Sequence, residues 1–124
     1  MKKGSRVSET EWLLRRVFRN DKRYVDHITG LPNSRAFAPR PKDEGKLSVD
    51  IKSLASFSGA LIDGNKFRLF GFHASEVYKI NLDCIYDPKD DNIAHALVIG
   101  FDAEDESAPG VLARKSKEFF QTDF

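Results

Sequence analysis

The chain reads as an α+β protein, one small domain built on a mostly antiparallel sheet of four or five strands with helices flanking it at the two ends. Three observations point there. Stretches at 47–51, 67–72 and 77–86 alternate in the period of two that a half-buried strand requires. Turn clusters separate them: Thr29-Gly30-Leu31-Pro32-Asn33-Ser34, Asp63-Gly64-Asn65 and Asp87-Pro88-Lys89-Asp90-Asp91-Asn92. Helix-start signals stand near both ends of the chain.

Taken in order, residues 1–7 are expected as a disordered tail, with 8–124 forming the globular domain. Ser8-Glu9-Thr10-Glu11 matches a capping box, in which Ser8 caps and Glu11 reaches back to the Ser8 amide. It predicts a helix over about 9–19. The competing reading is a strand, because Trp12, Leu14 and Phe18 alternate with Leu13 and Val17. Arg35 to Pro39 reads as a short edge strand ended by Pro39 and Pro41. Leu47, Val49 and Ile51 alternate with Ser48 and Asp50 in a half-buried strand, and Ser53 to Ala60 reads as one or two helical turns. A strand follows at Phe67–Phe72. Val77–Tyr86 is the clearest strand, with Tyr78, Ile80, Leu82, Cys84 and Tyr86 on one face; Ile93–Phe101 returns beside it. Ser107-Ala108-Pro109 starts a last helix whose apolar face holds Val111, Leu112, Phe119 and Phe120.

Composition narrows the class. At 124 residues, 40% hydrophobic and 31% charged, the chain suits a soluble globular domain with a core of its own. Ten phenylalanines against one Met and one Trp make that core Phe-rich. The single cysteine, Cys84, excludes an internal disulfide and fits a reducing cytosol. No apolar run approaches the roughly 20 residues of a membrane span, and no apolar leader follows Met1-Lys2-Lys3. A cytoplasmic protein of bacterial style, with no membrane association, is expected. Net charge is only +1, but residues 1–23 hold eight Lys or Arg against three acids, and residues 83–106 hold eight acids against Lys89 alone. Such asymmetry suits a polyanion at one end or copies meeting head to tail, so a homo-oligomer is compatible with it, but solvated edges are the favoured reading.

The chemistry-bearing residues gather around Ser34–Asp50. This stretch brings Ser34, Arg40, Lys42, Ser48 and Asp50 into a segment interrupted by prolines and a glycine, the setting in which loops display binding surfaces. Arg40 and Lys42 suit a phosphate or carboxylate, with Arg giving the bidentate fork; Asp43 and Glu44 are the neighbours that would neutralise them. His95, between Ala94 and Ala96 in an apolar strand, has room for a group to approach its ring and is a candidate general base. His73, beside Ser75 and Glu76, is the second candidate for proton transfer, with a helix cap at Ser75 as the simpler reading. No histidine pair has metal-ligand spacing, Asp87, Asp90 and Asp91 lack the closing glutamate of a calcium loop, and no phosphate-loop, dinucleotide or nucleophile-elbow motif is present. No metal and no cofactor is expected. Cys84 reads as a small core residue.

The run Ser34-Arg35-Ala36-Phe37, Pro39, Asp43, Leu47-Ser48-Val49-Asp50 and Ala94-His95-Ala96, preceded by Leu14-Arg15-Arg16-Val17, resembles a pattern in small uncharacterised bacterial proteins. The resemblance spans most of residues 12–99. It implies candidate positions and no reaction.

Two functions follow. The first is a binding or accessory module for a protein partner, in the style of a bacterial defence or toxin–antitoxin component, using the 34–50 surface. It is favoured because no complete catalytic constellation assembles. The alternative is a small metal-independent enzyme acting on RNA or a nucleotide. There His95 and His73 would be acid and base, while Arg40, Lys42 and Arg16 would carry phosphate charge.

Overall fold

A computed structural model describes residues 1–124. In chain order the elements are β1 (Trp12–Phe18), β2 (Leu47–Ile51), α1 (Phe57–Leu61), β3 (Phe67–His73), α2 (Ala74–Lys79), β4 (Asp83–Tyr86), β5 (His95–Ile99), α3 (Ser107–Lys115) and β6 (Lys117–Phe119). The strands form one sheet in the order β4-β5-β2-β1-β3-β6, with every pairing antiparallel. The architecture is α+β with six strands rather than four or five. No helix is long and apolar enough to cross a membrane.

The sheet buries both faces to different depths. One face carries Leu13, Val17, Val49, Ile51, Phe70, Phe72, Ala96 and Val98, and packs beneath the Ser34–Phe37 3₁₀ turn, α2 and α3 as the main core. The opposite face carries Leu14, Leu69 and Phe119 beneath Ala60 of α1, a smaller cluster at the β1–β3–β6 end. Gly71 lies on this second face opposite Leu14. A Cβ there would stand 2.7 Å from the Phe119 ring, so only glycine lets β3 and its neighbours close.

The first helix expected, over 9–19, is a strand. Both faces of β1 are covered at Leu13 and Leu14, and burial in the middle of a sheet outweighs a local cap signal. The capping residues form a turn instead: the Glu11 amide donates to the Ser8 carbonyl at 3.0 Å, and the Glu11 carboxylate accepts from the Ser53 hydroxyl at 2.7 Å. The Glu11 and Glu9 carbonyls accept from the first amides of α2, those of Ala74 and Ser75. Only the C-terminal helix therefore flanks the sheet from a chain end.

Four further expectations change. The edge strand at 35–39 is a 3₁₀ turn capped by Asn33, whose Oδ1 accepts from the Arg35 amide at 3.0 Å. Of the strand expected over 77–86, only β4 is extended; Val77 and Tyr78 belong to α2, which ends at Lys79, and the chain turns toward β4 through Asn81 at φ +62°. Ala74 and Val77, three apart, bury as a helix face that period-two reading cannot separate from a strand. The last helix stops at Lys115, so Phe119 packs from β6, and Ser107 follows the cap instead of providing it. Gly4 to Val7 of the expected tail lie along β4: the Val7 amide donates to the Cys84 carbonyl at 3.0 Å, the Tyr86 amide to the Ser5 carbonyl at 2.8 Å, and Val7 is buried.

Candidate functional site

β1 and β3 pair at seven successive positions, but β1 and β2 pair only at Leu13↔Ile51 and Leu14↔Asp50. Beyond that point the two strands fork, while β2 stays paired to β5 as far as Leu47. Arg15 fills the fork. Its Nε donates to the Ala36 carbonyl at 2.8 Å and its Nη1 to the Ser48 carbonyl at 2.9 Å, so a side chain takes the place of the missing ladder. Neither partner is a carboxylate. Burial, reinforced by the charges of Arg40 and Arg16, brings the Arg15 guanidinium down to about 10, and Asp43 offsets part of that effect.

Three more arginines surround it. Arg16 projects onto the second face, donates to the Ala60 carbonyl at 2.9 Å and stands 3.7 Å from the buried carboxylate of Asp50. Arg40 enters from the 38–46 loop, where Asp43 accepts from both its amide and its Nε at 3.2 and 3.0 Å. That ion pair holds the Asp43 carboxyl below the usual range and closes the loop on itself. Arg35 shares the inner end of the fork with Arg15, Arg16, Arg40 and Tyr24. Arg15, Arg16 and Arg40 together meet two carboxylates, Asp50 on Arg16 and Asp43 on Arg40, a local charge of +1.

The fork opens into a cavity of about 230 Å³ lined by Arg15, Arg16, Arg40, Ser48, Asp50 and His95, among others. His95 lies directly across the β2–β5 ladder from Asp50 and is buried. Its Nδ1 is 2.9 Å from the Asp87 carbonyl and 3.1 Å from the Asp87 carboxylate. Both partners are acceptors, so in the neutral ring Nδ1 carries the proton and Nε2 is the basic nitrogen. Nε2 has no protein partner, and the ring forms part of the cavity wall. Lys3 and Lys89 stand 4.0 and 3.9 Å from the Asp87 carboxylate.

A second cavity of about 530 Å³ adjoins the first through Arg16, Asp50 and Asn92. Asn92 donates to Asp50 at 2.8 Å and so holds the shared wall in place. This second cavity is lined by exposed apolar side chains, Leu54, Ile62 and Ile93, alongside Ser56, Lys89 and Asp91. Ile62 sits at φ +68° and ψ −59°, where the Asp63 amide donates to the Leu61 carbonyl at 2.8 Å. A β-branched residue is strained in such a turn.

Comparison with family models, curated proteins and solved structures finds no match to this chain. Geometry alone defines the site.

Of the residues singled out from sequence, the structure brings together Arg16, Arg40, Ser48, Asp50 and His95. Asp50 is buried against Arg16 and Asn92, where an outward-facing residue beside Arg40 and Lys42 was expected. Lys42 is exposed on the 41–43 turn and does not line the cavity. Ser34 lies elsewhere, in a cavity between the 34–37 turn and α3 with Ser107 and Arg114. His73 stacks on Trp12 with ring centroids 3.6 Å apart. Three strand spacings, about 14 Å, separate β3 from β5, so His73 and His95 do not face one group. Sequence reading missed Arg15, Asp87 and Asn92. The signal for Arg15 was an Arg-Arg pair inside an apolar alternation, since adjacent residues of a strand point to opposite faces and one of the two must find a way out of the core.

Proposed function

We propose that this protein is a binding module whose β1–β2 fork takes a phosphate group, as carried by a nucleotide or a nucleic acid. The observation that carries this reading is Arg15, a guanidinium held between two carbonyls with no carboxylate of its own. Arg16, Arg40 and the Ser48 hydroxyl border the same cavity. Guanidiniums donate in forks that match phosphate oxygens, and the net positive charge of the three cavity arginines balances a phosphate. The exposed Leu54, Ile62 and Ile93 of the adjoining cavity suit the base of a nucleotide whose phosphate lies on the arginines. Of the two ligand classes open from sequence, this favours the phosphate-bearing one over a protein partner.

The test is a thermal-shift titration with sulfate, inorganic phosphate and adenosine monophosphate. Ligands that bind the folded state raise the melting temperature by mass action. Each should do so here, and Arg15→Met and Arg40→Ala should each reduce the effect. Equal shifts in Arg15→Met and the unaltered protein would refute the assignment, as would no shift with any of the three.

A further inference from the structure

We infer that the Asp87–His95 pair makes the fork a site of RNA phosphodiester cleavage, with His95 as general base and the 2′-hydroxyl of the substrate as nucleophile. The inference rests on the phosphate-binding reading above. Three observations support it. His95 is fixed through Nδ1 by Asp87, which leaves Nε2 without a protein partner in a residue that lines the arginine-bordered cavity. Arg16 and Arg40 border that cavity, where they would neutralise charge growing on the non-bridging phosphate oxygens. No serine, threonine or cysteine hydrogen-bonds to His95, so the protein offers a base without a nucleophile, and RNA carries its own next to the scissile bond.

The step balances without a co-reactant. Nε2 of His95 accepts the proton of the 2′-hydroxyl, O2′ forms a bond to phosphorus, and the bond from phosphorus to O5′ breaks. O5′ takes its proton from solvent water as it leaves, and the His95 imidazolium gives its own proton back to solvent. The products are a 2′,3′-cyclic phosphate and a 5′-hydroxyl end. Asp87 is a positioning residue, holding the ring and stabilising its protonated form. The other charged groups around the pair are Lys3 and Lys89 on Asp87, Asp50 across the ladder, and Arg16 and Arg40 at the cavity.

The experiment uses the full chain and a fluorescently labelled single-stranded oligoribonucleotide in the presence of EDTA. An all-2′-deoxy oligonucleotide of the same sequence reports binding alone. The expected result is that both bind through Arg15, that only the ribonucleotide is cut, and that the product carries a cyclic phosphate. His95→Ala should lower the rate about 10²–10⁴-fold, with partial recovery on adding imidazole, which a purely structural role would not show. Asp87→Asn should lower the rate at unchanged affinity for the deoxy oligonucleotide, and Asp87→Glu should restore part of it. His73→Ala should cut at the unaltered rate. Binding of the deoxy oligonucleotide without cleavage of RNA overturns the catalytic inference and leaves the binding module standing. Absence of binding overturns both. Cleavage of the deoxy oligonucleotide overturns the role of the 2′-hydroxyl, and it does so without depending on whether any variant folds.

Discussion

Replacing Arg15 by methionine should separate binding from stability. The guanidinium makes two hydrogen bonds to carbonyls, and bonds from a charged donor contribute about 1.5–3 kcal/mol each. Against this stands the depression of Arg15 from 12.5 to about 10, which corresponds to about 3 kcal/mol spent on keeping an unpaired cation in the fork. Methionine fills a similar volume and removes both contributions, and the freed Ala36 and Ser48 carbonyls lie beside an open cavity where water can reach them. The net loss should be about 0–3 kcal/mol, a fall of up to roughly 12 °C in melting temperature for a domain of this size. Phosphate binding loses a charge-assisted pair of about 1.5–3 kcal/mol, so affinity should fall roughly 10- to 150-fold. Urea unfolding gives the first quantity, and sulfate titration followed by melting temperature gives the second. A stability loss well beyond 3 kcal/mol with sulfate binding intact would make Arg15 a structural staple and sink the reasoning.

Other perturbations test the fold around the site. Burial raises the Cys84 thiol to about 12 from an ordinary value near 9. A raised acid favours the folded state fully below pH 9 and progressively less as pH climbs toward 12, so stability should fall by about 1.4 kcal/mol per pH unit over that window through this group alone. Urea melts at pH 8 and 10.5 should show Cys84→Ala losing about 2 kcal/mol less than the unaltered protein; equal losses would remove Cys84 as the cause. Gly71→Ala places a methyl 2.7 Å from Phe119, 2.9 Å from Leu14 and 3.1 Å from the Leu13 carbonyl. Overpacking of that kind costs about 1–3 kcal/mol, and a neutral result in thermal melts would mean β3 shifts freely. Ile62→Gly should stabilise by about 1 kcal/mol, because relief of a strained turn outweighs the added flexibility of glycine in the unfolded chain. A drop in melting temperature would show instead that the exposed Ile62 side chain contributes to packing.

Local pattern determined much of this protein. The strands at 47–51 and 67–73, the turn at 63–65, the neighbouring strands at the 87–92 connection and the burial of Cys84 all follow from alternation and turn chemistry, which act within a few residues. The basic character of Arg40 and the unusual place of His95 between alanines were equally visible. What tertiary structure decided is the competition between local signals. Ser8–Glu11 is a sound helix start, and it became a turn because Leu13 and Leu14 are buried on opposite faces of a central strand. The apolar residues from Val77 to Tyr86 fit either period, and packing of Ala74 and Val77 against the sheet divided them between helix and strand. The site depends on tertiary structure most of all. Arg15 reaches Ala36 and Ser48 across 21 and 33 residues, Asn92 reaches Asp50 across 42, and Asp87 reaches His95 only when the chain doubles back between β4 and β5. Residue type announced cations, a base and carboxylates, but where the β1–β2 ladder stops decides which of them share a cavity, and that point is fixed by pairing between strands far apart in the chain.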